Sequence, residues 1–306
     1  MEALPVQPLI TVVVPTKDRG ELIRPTLDAF RAQTFQDFEV RVSDDGGADD
    51  TEQVVDALAD GRFHYDWAPH AGKGATRNRG ARNGGGRYVC FFDSDDWPGP
   101  SHLETAARVI AERDQPPVFF LDFEVRNQEH EVLETGRFPR EERIQNELLR
   151  GNCFPPGGVF VRADVADEVR WNEDRDLITS EDWLIWLRIA ARYPIPAIPG
   201  PTWALMEHGT RTSRHWSAAD VQSSLACVMA ELEADPVFLE RWGERGLRNV
   251  RGRMKSLAAL RAALAGQSGL AMEYLGRAAT EMPIELFDRR ALAIVKHAGL
   301  GLFSRS

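Results

Sequence analysis

The apolar run Arg87–Phe92 (RYVCFF) breaks directly into three carboxylates, Asp93, Asp95 and Asp96, within the segment FFDSDDW. Like charges this close repel strongly unless a cation sits among them. Hard oxygen donors suit Mg2+ or Mn2+, ions that keep some of their waters and share coordination with substrate phosphates. A capped acidic turn is the plainer alternative. The position at the end of a buried strand, where α/β sheets gather ligands, favours the ion.

Other candidates recur at similar places. Asp44-Asp45-Gly46-Gly47 follows a second, alternating strand pattern, and a carboxylate there can accept hydrogen bonds from a base N–H or ribose hydroxyls. The two glycines read as turn residues of positive φ. Pro15, Thr16 and Asp18 follow the first run and signal less on their own. Ala71–Arg82 (AGKGATRNRGAR) supplies Lys73, Arg77, Arg79 and Arg82, with glycines before a helix start, a composition that suits phosphate. A Walker loop would need Gly at Trp67 and Ser or Thr at Gly74, and a dinucleotide fingerprint from Gly72 would need Gly at Arg77. A solvated helix face is the alternative. Ser180-Glu181-Asp182-Trp183 opens a strong amphipathic helix, with Ser180 placed to cap it. Its acids suit either the helix dipole or a general base held on a rigid element. His208 and His215, with Arg211 and Arg214 between them, are candidate ligands or bases.

The elements needed to position these groups alternate. Strands are expected at Leu9–Val14, Phe38–Ser43, Arg62–Trp67, Arg87–Phe92, Val118–Phe123 and Val159–Arg162. Helices are expected at Glu21–Ala32, Thr51–Ala59, Gly74–Asn83, Ser101–Arg113 and Thr179–Arg192, the last ended by the Pro-rich Tyr193–Pro201. This alternation predicts βαβ units and a parallel sheet, with ligands at the carboxyl ends of the strands. Beyond Trp216 only helical patterns remain, at Ala218–Ala234, Pro236–Leu264 and Ser268–Met282, which places a boundary near Ser217.

Composition narrows the function classes. The 306 residues carry 37 Lys and Arg against 47 Asp and Glu, a formal charge of −10, so nucleic acid is not the expected partner. Cys90, Cys153 and Cys227 lie far apart, which suits a reducing cytoplasm rather than disulfides or a zinc site. No apolar stretch is long enough to span a membrane, and MEALPVQPLITVVVPTKDRG does not read as a signal peptide.

Taken in order, VVVPTKDR, QTFQDFEV with VSDDGG, GATRNRGA, RYVCFFDSDD and TSEDWLIWLRIA resemble the family 2 glycosyltransferases of GT-A fold, over roughly residues 9 to 216. The resemblance implies an α/β fold with a mixed, mostly parallel sheet flanked by helices in 1–216, and a C-terminal helical region in 217–306. The donor site would fall in about 9–100 and the acceptor and base part in about 101–216. It implies transfer of a single sugar, with inversion, from a nucleotide diphosphate donor to an acceptor hydroxyl on a glycan, lipid or protein. Thr16 and Asp45 would hold the nucleotide, Asp45 at the base, with Arg77 near the diphosphate. Pro15, Asp18, Lys73, Asp93, Ser94 and Glu181 complete the nucleotide-sugar set. Asp93-Ser94-Asp95 would be the D-x-D motif, Asp182 the catalytic base, and Mg2+ or Mn2+ the cofactor on Asp95, Asp93, Asp96 and His208, with His208 preferred to His215.

Departures are few. Gly47 stands where many members carry Ser, a change expected to matter little, and His215 interrupts the Q-x-x-R-W-like stretch of processive synthases. A sugar-1-phosphate nucleotidyltransferase would need a Gly-rich loop after the first strand, which PTKDRGEL does not supply. A non-catalytic nucleotide-sugar-binding protein is the second alternative, and the intact Asp93, Asp95 and Asp182 argue against it. The C-terminal stretch 285–306 mixes Leu286, Phe287, Leu292, Ile294, Val295 and Leu302 with Arg289, Arg290, Lys296 and Arg305. It reads either as a terminal helix packed on the helical region or a second subunit, or as a peripheral contact with anionic lipid on the inner face of a membrane. Gly299 and Gly301 are expected to weaken that helix.

Overall fold

The computed structural model describes residues 7–135, 143–209, 211, 215–283 and 289–303. Two compact units interleave along the chain: Met1–Ile144, Phe154–Glu173 and Tyr193–His208 form one, and Gln145–Cys153, Asp174–Arg192 and Gly209–Ser306 the other.

The first unit is α/β. Its leading half runs β1 (Ile10–Thr16), α1 (Gly20–Arg31), β2 (Phe38–Asp45), α2 (Thr51–Asp56), β3 (Phe63–Ala68), α3 (Lys73–Asn83) and β4 (Tyr88–Phe91). These four strands lie in the order β3-β2-β1-β4, all parallel. Ile10, Val12, Val13 and Val14 of β1 are fully buried, as a β-branched run covered on both faces requires. Helix α1 seats Ile23, Leu27 and Phe30 against the sheet, one apolar stripe at helical spacing.

The sheet continues through β5 (Trp97–Pro98), α4 (His102–Glu112), β6 (Val118–Arg126), β7 (Val132–Thr135), β8 (Val159–Arg162), α6 (Ala163–Glu168) and β9 (Ala197–Met206). The short helix α5 (Ile144–Leu148) precedes β8 and leads into the second unit. Beyond β4 the order is β8-β6-β9-β5, with β7 also on β6, and antiparallel pairs enter. Strand β9 corrects the sequence reading, in which its prolines only end a helix. Pro199 and Pro201 fall where the β6–β9 register slips, so the ladder does not require their missing N–H. Gly200, at φ +97, completes the bulge and donates its N–H to Asp122 Oδ2 at 3.2 Å.

The second unit is helical in its described residues: α7 (Glu181–Arg192), α8 (Ala218–Ala234), α9 (Pro236–Leu264), α10 (Ser268–Glu281) and α11 (Arg289–Phe303). Ser217 and Asp220 form a reciprocal capping box at the start of α8. Helix α9 keeps the expected bounds but is kinked at Gly243, whose φ of +53 leaves helical geometry, a conformation glycine tolerates. Gly299 and Gly301 lie within the span of α11.

Asp235 joins two helices of this unit. It caps α9 by accepting from the N–H groups of Val237 and Phe238, and its oxygens accept from Arg192 Nη1 and Nη2 at 2.8 and 3.0 Å. Burial alone would raise its pKa, but the Arg192 guanidinium and the two cap N–H groups outweigh it and hold the carboxyl below the usual range. Removing one partner of a buried pair strands the other charge. Asp235→Ala should therefore cost about 3 kcal/mol of stability at pH 7 in chemical denaturation. A lowered folded pKa stabilises above the unfolded value and ceases to do so as pH falls through the folded one. The gap between wild type and variant should accordingly close only on acidification below the ordinary carboxylate range.

Candidate active site

The turn after β4 is built by its neighbours. Thr26 of α1 donates its hydroxyl to the carbonyls of Ser94 and Asp96, at 3.0 and 2.8 Å, which fixes the turn's backbone. Ser94 is itself buried. Asp96, 2% exposed, accepts the Met206 N–H on Oδ1 at 3.0 Å and so ties the end of β9 to the turn. Two residues on, His208 is buried and brings Nε2 to 3.1 Å from Asp95 Oδ2. One oxygen from each of Asp93, Asp95 and Asp96 lies within 4.8 Å of the others. Hard oxygens converging this closely, with an imidazole beside them, fit a Mg2+ or Mn2+ ion.

Cations already face the cluster. Asp93 Oδ1 accepts from Arg77 Nη2 at 3.1 Å, and Asp95 Oδ2 accepts from Arg19 Nη1 at 2.9 Å. Arg77 is 3% exposed, with its guanidinium carbon 4.3 Å from the Trp171 ring centroid. Asn78 holds Trp171 in place, donating to its carbonyl at 2.9 Å and accepting its N–H at 3.1 Å. The 171–173 segment runs so close to α3 that a Cβ at Gly74 would fall 1.8 Å from the Asn172 carbonyl oxygen. The other basic residues of α3 divide. Arg79 donates to the carbonyls of Asp44 and Asp66, Arg82 lies 3.9 Å from Glu173 at the surface, and Lys73 is exposed at the helix start.

The acids after β2 are satisfied differently. Asp44 accepts the Gly47 N–H at 2.6 Å and the Tyr65 hydroxyl at 2.8 Å. Asp45 accepts the N–H groups of Ala71 and Gly72 and lies 2.7 Å from His70 Nδ1. Burial opposes its charge, yet these donors prevail and keep the carboxyl below its ordinary pKa. Gly46 takes the expected positive φ, +80, but Gly47 does not. Gly47 is closely approached: an added Cβ would lie 2.7 Å from Asp44 Oδ1 and 3.0 Å from the Asp18 nitrogen, so in this chain the loops around it would have to give way to a side chain.

Nearby, Thr16 is buried and its hydroxyl has no hydrogen-bond partner among the described residues. It pairs in register with Asp44, as the half-buried Pro15 does with Ser43. Asp18, at φ +51, accepts the Ala48 N–H at 2.8 Å and braces the two loops.

Asp182 belongs to the helical unit, in the first turn of α7. Its Oδ2 accepts from Asn152 Nδ2 at 2.7 Å and its Oδ1 from the Trp183 N–H at 2.8 Å. Trp183 is buried and donates its indole N–H to the Leu148 carbonyl at 2.6 Å. Glu181 is buried beside it. Ser180 occupies the cap position, its carbonyl accepting from Leu184, but at φ +65 rather than in the extended backbone of a side-chain cap. His215 is exposed, and Arg214 lies outside the described residues.

Sequence reasoning missed Arg19, Asn78, Trp171 and Asn152. Each meets its partner across 30 to 93 positions, a spacing that no local pattern announces.

Comparison with known proteins supplies the remaining context. Staphylococcus aureus TarS 1–349 in complex with UDP-GlcNAc superposes with a TM-score of 0.66 at 20% identity, covering 97% of this chain and 91% of that one. The mannosyltransferase PcManGT from Pyrobaculum calidifontis, in complex with GDP-Man and Mn2+, gives 0.55 at 19%, covering 99% and 89%. Likeness at these identities is one of fold, and the fold is GT-A. The Escherichia coli UDP-Glc:alpha-D-GlcNAc-diphosphoundecaprenol beta-1,3-glucosyltransferase WfgD is 25% identical over 192 residues, 62% of this chain and 73% of that protein. The aligned part spans between 15% and 61% of several other curated relatives. The family model "Glycosyl transferase family 2" matches residues 11–170, from β1 past the acidic turn and Arg77, and ends before Asp182 and His208. That match takes in more than half of the 306 residues, and the chain belongs to glycosyl transferase family 2.

Proposed function

We propose that this chain moves a single sugar from a nucleotide diphosphate donor to an acceptor hydroxyl, with inversion at the anomeric carbon. The convergence of Asp93, Asp95 and Asp96 at the end of β4, beside Arg77 and His208, carries this reading. Asp93, Asp95, Asp96 and His208 would hold Mg2+ or Mn2+. When bound, such an ion supplies positive charge that stabilises a diphosphate leaving group. Arg77, immobilised between Trp171 and Asp93, adds a guanidinium whose position costs little entropy to fix. The unpartnered hydroxyl of Thr16 has bonding capacity to offer a nucleotide, and Asp45 shapes the base end by holding His70–Gly72. Pro15, Asp18, Lys73 and Ser94 flank the same strand ends, and Glu181 adjoins the base.

Asp182 is the proposed general base. Its place in the ED pair and its orientation by Asn152 support the role. It takes the acceptor's hydroxyl proton as the acceptor oxygen bonds to the anomeric carbon. The bond from that carbon to the diphosphate oxygen breaks, its electron pair leaving with the diphosphate. No protein nucleophile is needed, and the product anomer is inverted.

A lipid-linked acceptor is the favoured class. WfgD is named for a diphosphoundecaprenol substrate, and α11 of this chain buries Ala291, Ile294 and Ala298 while exposing Leu292, 69% accessible, and Val295, 52%, among Arg289 and Lys296. Ile294, one of the apolar residues of 285–306, is therefore on the packed side of this helix. Residues 284–288 and 304–306 lie outside those described. No described helix is long and apolar enough to cross a membrane, so contact would be peripheral.

Three measurements test the reading. Transfer from UDP-, GDP- and dTDP-sugars should require Mg2+ or Mn2+, and Asp95→Ala should abolish it with an unchanged circular dichroism spectrum; full activity in excess EDTA would refute the metal's role. Asp182→Asn, nearly isosteric, should retain donor binding and lose on the order of 10²-fold or more in kcat, the surviving product still inverted by NMR. Wild-type kcat in that variant would move the base elsewhere. In flotation with anionic vesicles at low salt, the full chain should rise with the lipid and Leu292→Glu/Val295→Glu should not. A full chain that stays at the bottom of the gradient would leave α11 without a membrane role.

A further inference from the structure

Arg19 belongs to none of the roles assigned above, yet its Nη1 reaches Asp95 Oδ2 at 2.9 Å, the oxygen that His208 Nε2 approaches at 3.1 Å. Its backbone is fixed at the head of α1, where its carbonyl accepts the Ile23 N–H at 2.9 Å. The two guanidinium groups on the cluster differ in freedom. The Arg77 side chain is 4% exposed under Trp171, whereas that of Arg19 is 27% exposed.

Charge arithmetic shows what this arrangement does. Asp93, Asp95 and Asp96, taken with the two guanidinium groups that contact them, Arg19 and Arg77, sum to a formal charge of −1. A divalent ion arriving alone would reverse that balance and compete with Arg19 for Asp95. An ion arriving with the doubly charged diphosphate of a nucleotide sugar changes nothing net, one arriving with a more highly charged free nucleoside diphosphate leaves the site negative, and either offers Arg19 a bidentate partner in place of the carboxylate it gives up. We propose that Arg19 is the resident counter-ion of the acidic turn, releasing Asp95 when metal and nucleoside diphosphate bind together and then donating to the diphosphate. The proposal rests on the donor-site reading above. It makes metal and nucleotide affinity mutually dependent, and by linkage the dependence is reciprocal.

The test measures Mn2+ binding by electron paramagnetic resonance without nucleotide, and UDP binding by calorimetry at saturating Mn2+. Arg19→Gln should bind Mn2+ alone roughly fivefold more tightly, because a competing cation is gone. The same variant should bind UDP roughly tenfold more weakly. Arg19→Lys, which keeps the charge, should stay near wild type for Mn2+. Changes of opposite sign are the signature, since a merely structural Arg19 would weaken both. Two affinities that fall together, or that both stay at wild-type values, would overturn the proposal while leaving the donor-site reading standing. If neither wild type nor variant binds UDP, GDP or dTDP, the donor-site reading itself fails and the proposal with it.

Discussion

Three carboxylates in one turn at the end of a buried strand repel one another, and the surrounding structure is organised to offset that repulsion. Partners come from every side. Thr26 of α1 takes up the turn's carbonyls, the Met206 N–H satisfies Asp96, and Arg77 and Arg19 face Asp93 and Asp95. Parallel order places β4 beside β1, so the loop carrying Arg19 lies within reach of the turn. Strand β9 contributes from the far half of the sheet, and only through it does His208 arrive next to Asp95. The bulge that lets β9 tolerate two prolines is thus part of what completes the cluster.

The acids after β2 show the other solution to the same problem. Asp44 and Asp45 are also adjacent and buried, but N–H donors from Gly47, Ala71 and Gly72 and the Tyr65 hydroxyl take up their lone pairs. At Asp45 these donors, with His70 beside them, outweigh burial and keep the carboxyl below its ordinary pKa. The acids after β4 are faced instead by side chains that can exchange partners. Identical residue types therefore divide into a brace held mainly by fixed donors and a cluster, the proposed metal site, faced by cationic side chains.

Much of this was readable before any coordinates. The apolar runs around Val12 and Cys90 and the alternation around Val40 mark three adjacent parallel strands, the unbroken runs because burial on both faces leaves no polar position. Asp93, Asp95 and Asp96 stood out because clustered acids are costly. What escaped was long-range or sterically hidden. Pro199 and Pro201 masked β9, since a bulge can be recognised only against its partner strand. Trp171 gives no sign of lying over Arg77, and Gly47 looks interchangeable until the approach of Asp44 is known. Arg19 was passed over because a basic residue at a helix start signals nothing by itself.

The helical unit also does more than follow the sheet. Helix α7, which carries the proposed base, is anchored within that unit at both ends. Near its start, the Thr179 N–H donates to Ser224 of α8 and Trp183 donates to the Leu148 carbonyl. At its end, Arg192 is clamped by Asp235 at the head of α9. Two of those three anchors come from residues beyond Ser217, the stretch that pattern alone sets apart as a separate C-terminal region. Asn152 and the Trp183 N–H hold the Asp182 carboxylate itself, while the helix that carries it is fixed partly by side chains far along the chain. A general base needs a fixed direction as much as a suitable pKa. By that argument α8 and α9 are part of the support of α7 and of the proposed base it carries, and variation in them would act on that residue through the helix, with no contact to substrate required.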